Sequence, residues 1–107
     1  MTNSRRKGKR GELEVVHKLQ EAGLMARRGQ QYRGAPDAPD VICDSYPDLH
    51  IEVKLRETHN AWEWMSQAVK DMGPNQTPVV WMRKNKKPWL VVLRADDYLE
   101  LMKGSNE

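Results

Sequence analysis

Apolar positions from Lys9 to Leu24 recur at helical spacing. At about 100° per residue, Val15, Val16, Leu19 and Gly23 fall on one side, and Glu12 falls with them. Two later segments keep a strand period instead. Asp40-Val41-Ile42-Cys43 is a short apolar run, and Ile51, Val53 and Leu55 alternate with Glu52, Lys54 and Arg56. Asp44-Ser45-Tyr46-Pro47-Asp48 between them is turn chemistry, so the two strands should form a hairpin. A second helix is expected from about His59 to Met72, stopped by Gly73-Pro74. Pro78–Met82 and Trp89–Leu93 are nearly continuous apolar runs, as in strands covered on both faces, and a short helix from Ala95 to Met102 closes the chain. The order is α-β-β-α-β-β-α, an α/β fold with a mixed central sheet flanked by helices.

Length and charge narrow this picture. A chain of 107 residues closes one core, so residues 10–103 form a single domain between a basic N-terminal tail, 1–9, and a short C-terminal tail, 104–107. The lone Cys43 excludes an internal disulfide and reads as a small buried hydrophobe. No stretch has the length and apolarity of a signal peptide or a membrane span, which makes the cytoplasm the expected location and excludes a membrane partner. The net charge of +3 conceals segregation. Arg5, Arg6, Lys7, Lys9 and Arg10 form one acid-free block, Arg27, Arg28 and Arg33 a second, and Lys84, Lys86 and Lys87 a third on a hairpin turn. Basic blocks on loops and a tail, without an amphipathic anchoring face, suit a nucleic acid better than a lipid surface.

The candidate chemistry lies where acids interrupt apolar faces. The hairpin brings Asp40 beside Glu52, and Lys54 shares the Glu52 face. Two adjacent carboxylates repel unless a hard divalent cation lies between them, and carboxylate and water oxygens are the ligands Mg²⁺ prefers. A lysine on that face offers charge to a phosphate or a deprotonating water. Glu12 is expected to point from the helix toward the same spot, because an ionised carboxylate on an apolar face costs several kcal/mol, roughly, unless paired or metal-bound. Glu14 belongs on the wet side and should pair with Lys18. Pro36-Asp37 imitates Pro39-Asp40, but Asp40 abuts the strand. His50 lies on the Glu52 face and could approach a phosphate. On the middle helix, Ala61, Met65, Ala68, Val69 and Met72 form an apolar stripe flanked by Trp62 and Trp64, more than one sheet face needs; a twofold dimer would use the excess. Gln67 beside Trp64 is a minor candidate for steering a metal-bound water.

Pro39-Asp40 followed by Glu52-Val53-Lys54 resembles the PD-(D/E)XK nuclease motif. With Gly8–Gly23, the basic loop from Arg27 to Gly34 and the segments Pro39–Lys54 and Pro78–Leu93, nearly the whole chain resembles the archaeal-type Holliday junction resolvases, particularly their small phage-encoded relatives. The resemblance implies a restriction-endonuclease-like fold and a homodimer. The dimer would bind four-way DNA junctions and make paired symmetric nicks that leave 5′-phosphates. It assigns catalysis to Glu12, Asp40, Glu52 and Lys54. Mg²⁺, for which Mn²⁺ would substitute, would sit on Asp40, Glu52, Glu12 and a backbone carbonyl such as that of Val53. DNA contacts would come from the three basic blocks and from Gln30, Gln31 and Tyr32 in the loop. Two departures stand out: Leu13 where an arginine is common, and no serine in the loop before Asp40. The alternatives are a related Mg²⁺ nuclease acting on flaps, nicks or duplex DNA, and a non-enzymatic basic DNA-binding module.

Overall fold

The computed structural model describes residues 2–29 and 38–104, with side chains from Arg6 onward. Helix α1 spans Thr2–Glu21, so the basic block at its start is helical and the helix begins well before Lys9. It ends in a Schellman motif: Gly23, at φ +88°, supplies the left-handed residue, Gly23 N–H donates to Gln20 O (2.9 Å) and Leu24 N–H to Leu19 O (3.0 Å). Strands β1 (Ala26–Arg28), β2 (Val41–Cys43) and β3 (Leu49–Leu55) follow, then α2 (Ala61–Asp71), β4 (Thr77–Arg83), β5 (Leu90–Val92) and α3 (Ala95–Gly104). β1 is an addition to the expected order, because Arg27 and Arg28 form a strand rather than a loop. Its three residues are too few to show alternation.

The sheet runs β1-β2-β3-β4-β5, antiparallel except for the β3–β4 pair. That parallel pair requires a crossover, which α2 provides. Asn60 starts α2 by accepting from the Glu63 N–H (3.1 Å) while its amide donates to the Glu63 carboxylate (2.9 Å), a reciprocal cap contributing about 1 kcal/mol. α1 buries Val15, Val16 and Leu19 against Ala26, Val41, Cys43, Ile51, Val53 and Val79. The helix approaches so closely that a Cβ at Gly11 would meet Val53 and Leu55 at 3.2–3.3 Å. The odd residues of β3 therefore face α1. α2 lies against β3 and β4 on the other face, where His50, Val80 and Ala68 are fully buried. Cys43 is buried and free, as expected.

The far end differs from expectation. β5 is the sheet's edge and leaves Leu90 and Val91 half-exposed, so only β4 of the two apolar runs is covered as expected. α3 buries none of its residues.

Candidate active site

Asp40 stands at the bend where β2 begins. Its N–H donates to Ile51 O (3.0 Å), and its Oδ2 accepts from the Val53 N–H (2.9 Å). The side chain thus replaces the main-chain acceptor that would continue the β2–β3 ladder. Since the N–H and C=O of a strand residue point to the same edge, the Val53 carbonyl also faces Asp40. Behind it, Gly29 N–H donates to Asp40 O (2.9 Å), and a Cβ on residue 29 would run into the Pro39 carbonyl. Gly29 thereby holds the Pro39-Asp40 bend against β1, a role the sequence reading missed; its only signal was a glycine after Arg27-Arg28.

Glu52 is buried next to Asp40 and hydrogen-bonded to it. Its Oε1 lies 2.8 Å from His50 Nε2, and His50 is itself 1% exposed. Burial, first, then the hydrogen bond and charge of Glu52, push the Asp40 carboxyl from its ordinary 3.8 up to about 8. The Val53 N–H opposes the shift, and the charge of Glu12 adds to it. Asp40 thus keeps its proton near neutrality. Lys54 is half-buried on the same strand face.

Glu12 is brought near but not into this pair. Its Oε1 lies 2.9 Å from Arg28 Nη2 and 3.0 Å from Arg28 Nε, and its side chain is mostly buried. Among the described residues no three His, Cys, Asp or Glu side chains lie close enough to hold one ion. The two-carboxylate arrangement nevertheless fits Mg²⁺, which commonly takes one or two carboxylates and fills its octahedron with water and phosphate oxygens. Two buried carboxyls side by side are also an arrangement a cation would stabilise.

Other candidates separate. Arg27 is occupied by Asp44 (3.0 Å) and Arg28 by Glu12, so both are ion-paired with acids. Arg6, Lys9, Arg10, Lys84, Lys86 and Lys87 are exposed and Lys7 is half-buried. Gln30, Gln31, Tyr32, Arg33, the rival Asp37 and the Arg5 side chain lie outside the described residues. His50 is buried, with its Nε2 against Glu52 Oε1. Gln67 donates to the Asp71 carboxylate (3.0 Å) on the exposed side of α2. Glu14 departs most from expectation. It receives Arg83 through three contacts of 2.7–3.0 Å and the Trp89 indole N–H at 3.2 Å, with Arg10 at 3.7 Å, instead of pairing with Lys18. The helical wheel placed it correctly off the core stripe; the partners come from β4 and the segment before β5, which no local pattern could reveal.

A mixed five-stranded sheet between helices, with an aspartate at the start of one strand and Glu-x-Lys on its neighbour, defines the PD-(D/E)XK nuclease class, whose members generally use divalent metal ions. The chain belongs to the family described as phage putative PDDEXK endonuclease, whose profile matches residues 3–106. No curated protein matches the sequence. Among solved structures it is similar to the Holliday junction resolvase Hjc of the archaeal hyperthermophile Archaeoglobus fulgidus. The TM-score is 0.61 with 23% identity, covering 79% of this chain and 75% of that one. Identity at that level speaks for the fold alone.

Proposed function

We propose that this endonuclease is Mg²⁺-dependent and structure-selective, resolving four-way DNA junctions as a homodimer by paired symmetric nicks that leave 5′-phosphates. The observation that carries the reading is the burial of Asp40 beside Glu52, with the Val53 N–H fixing Asp40 Oδ2 at 2.9 Å and Lys54 on the Glu52 strand face. Asp40 and Glu52 would hold the cation, with the Val53 carbonyl beside them and Glu12 at the outer edge. The bound ion would supply Lewis acidity and a water acidic enough to attack near neutral pH. Asp40 would give up its proton so that both acids could ligate, and Val53 N–H keeps its Oδ2 aimed. Lys54 Nζ would stabilise charge developing on the phosphoryl oxygens. Arg28 neutralises Glu12 beside the pair.

The choice of a junction as substrate is supported by the likeness in fold to a junction resolvase. Assembly as a dimer is supported by apolar side chains left exposed: Leu90 and Val91 on the edge strand, Leu99, Leu101 and Met102 on α3, and Trp62, 88% exposed, on α2. Among the described residues no helix is long and apolar enough to cross a membrane. The test is incubation with labelled four-way junction, flap and linear duplex in Mg²⁺, Mn²⁺ or EDTA. Paired symmetric nicks confined to the junction are expected. Cutting of flap or duplex instead would leave the chemistry and remove the junction; binding without cutting in either metal would remove both.

A further inference from the structure

The first and third basic blocks, some 75 residues apart in sequence, meet in space. Arg6, Lys7 and Arg10 on α1 line a cleft of about 470 Å³ with Glu57 and Asn85, and Arg10 reaches Asn85 Oδ1 at 3.4 Å. Glu57 follows the end of β3, and Asn85 lies in the β4–β5 turn. That turn closes with Lys87 N–H on Lys84 O (3.1 Å) and sets Lys86 at φ +63°, the left-handed region that lysine seldom takes. One anionic oxygen occupies the cleft: Glu57 Oε2 accepts from the Asn85 N–H (2.8 Å) and lies 3.7 Å from Lys7 Nζ. A backbone amide and an ammonium converging on an oxygen is how proteins take phosphate. As a structural fastening the pair is weak, since the Glu57 side chain is 60% exposed and solvent screens ion pairs at such positions.

We propose that this cleft is the seat of a DNA backbone phosphate and that Glu57 is an internal anion which the phosphate displaces. The idea rests on the nuclease reading and deepens it. Three cations face one acid in the cleft, so exchange of the carboxylate for a singly charged backbone phosphate leaves the cleft's net charge unchanged, and the exposed Glu57 side chain has room to swing outward. Glu57 lies three residues beyond Lys54. At no more than about 3.3 Å per residue, that is at most about 10 Å of chain. The seat would therefore fix the strand a few phosphates from the one to be cut.

The test uses the cleavage-deficient Asp40→Asn protein and a fluorescent four-way junction, titrated in EDTA over a range of salt. Glu57→Gln should tighten binding about three- to tenfold and steepen the salt slope by about 0.9, and Lys7→Gln should weaken binding and flatten the slope by a similar amount. In the Lys7→Gln background, Glu57→Gln should gain little, because the two act on one seat. Unchanged affinity and slope in both single variants would overturn the seat while cleavage by the unaltered protein kept the nuclease reading intact. Failure of the Asp40→Asn protein to bind DNA at any salt would overturn both. Inorganic phosphate at constant ionic strength should compete no better than chloride; full competition would make this a small-anion site and sink the assignment to DNA.

Discussion

Two acidic clusters flank α1, built from glutamates two residues apart, and they are solved oppositely. Glu14 is fully matched: two guanidiniums and an indole N–H converge on it, and Arg83 also lies over the Trp89 ring at 5.2 Å. On the Glu12 side, Arg28 answers Glu12, while Asp40 and Glu52 lie buried side by side and Asp40 keeps its proton toward neutrality. The first cluster spends its charges on joining helix to sheet. The second gathers two carboxyls at the motif positions, where a divalent cation would find its ligands.

Asp40→Asn should separate the clusters most sharply. It removes a ligand, so cleavage of branched DNA should fall by roughly 10³-fold or more. Junction affinity in EDTA should hold or rise, measured by gel shift. Residual cleavage near the starting rate would show that Asp40 is not the motif aspartate.

The pH dependence of metal-free stability is next. With its pKa raised from 3.8 to about 8, folded Asp40 keeps a proton that the unfolded chain releases. Its contribution is fully present below pH ~4 and lost as pH rises through about 8, amounting to a few kcal/mol, roughly. Denaturant melts in EDTA should show stability declining over that window, with the decline absent in Asp40→Asn. A flat profile in the unaltered protein would contradict the raised pKa of Asp40.

Glu14→Gln should then cost about 1–3 kcal/mol of stability, since Arg83, 11% exposed, loses its counter-charge. Metal affinity should be untouched. Glu12→Gln should do the reverse, sparing most stability and lowering cleavage. If both changes act alike, the contrast between the clusters collapses.

The smallest expected effect is at His50. His50→Ala removes the 2.8 Å contact that fixes Glu52 and should weaken metal binding about tenfold to a hundredfold, with His50→Gln retaining more of it. Titration calorimetry with Mn²⁺ checks this alongside a thermal melt; equal affinity in the folded alanine variant would free Glu52 from any dependence on His50.

The legibility of these features in the sequence follows the range of the forces behind them. Strand alternation exposed Glu52 and Lys54, and helix periodicity exposed the Val15, Val16 and Leu19 stripe, because each depends on neighbours within one element. The hairpin turn at Asp44–Asp48 was local enough to place Asp40 beside Glu52. Arg28 as the partner of Glu12, Arg83 as the partner of Glu14 and Gly29 against Pro39 each required contacts between elements. β5 misled because an apolar run looks the same at a covered position and at an exposed edge. Asp40's role as a main-chain surrogate for Val53 came only from the bend in the ladder.

The most direct measurement is the proton count on metal binding at pH 7, by calorimetry in buffers of different ionisation enthalpy. A cation seated on Asp40 and Glu52 should expel about one proton, and Asp40→Asn should abolish the release along with most of the affinity. Binding with no proton release, or equal affinity in Asp40→Asn, would place the ion elsewhere.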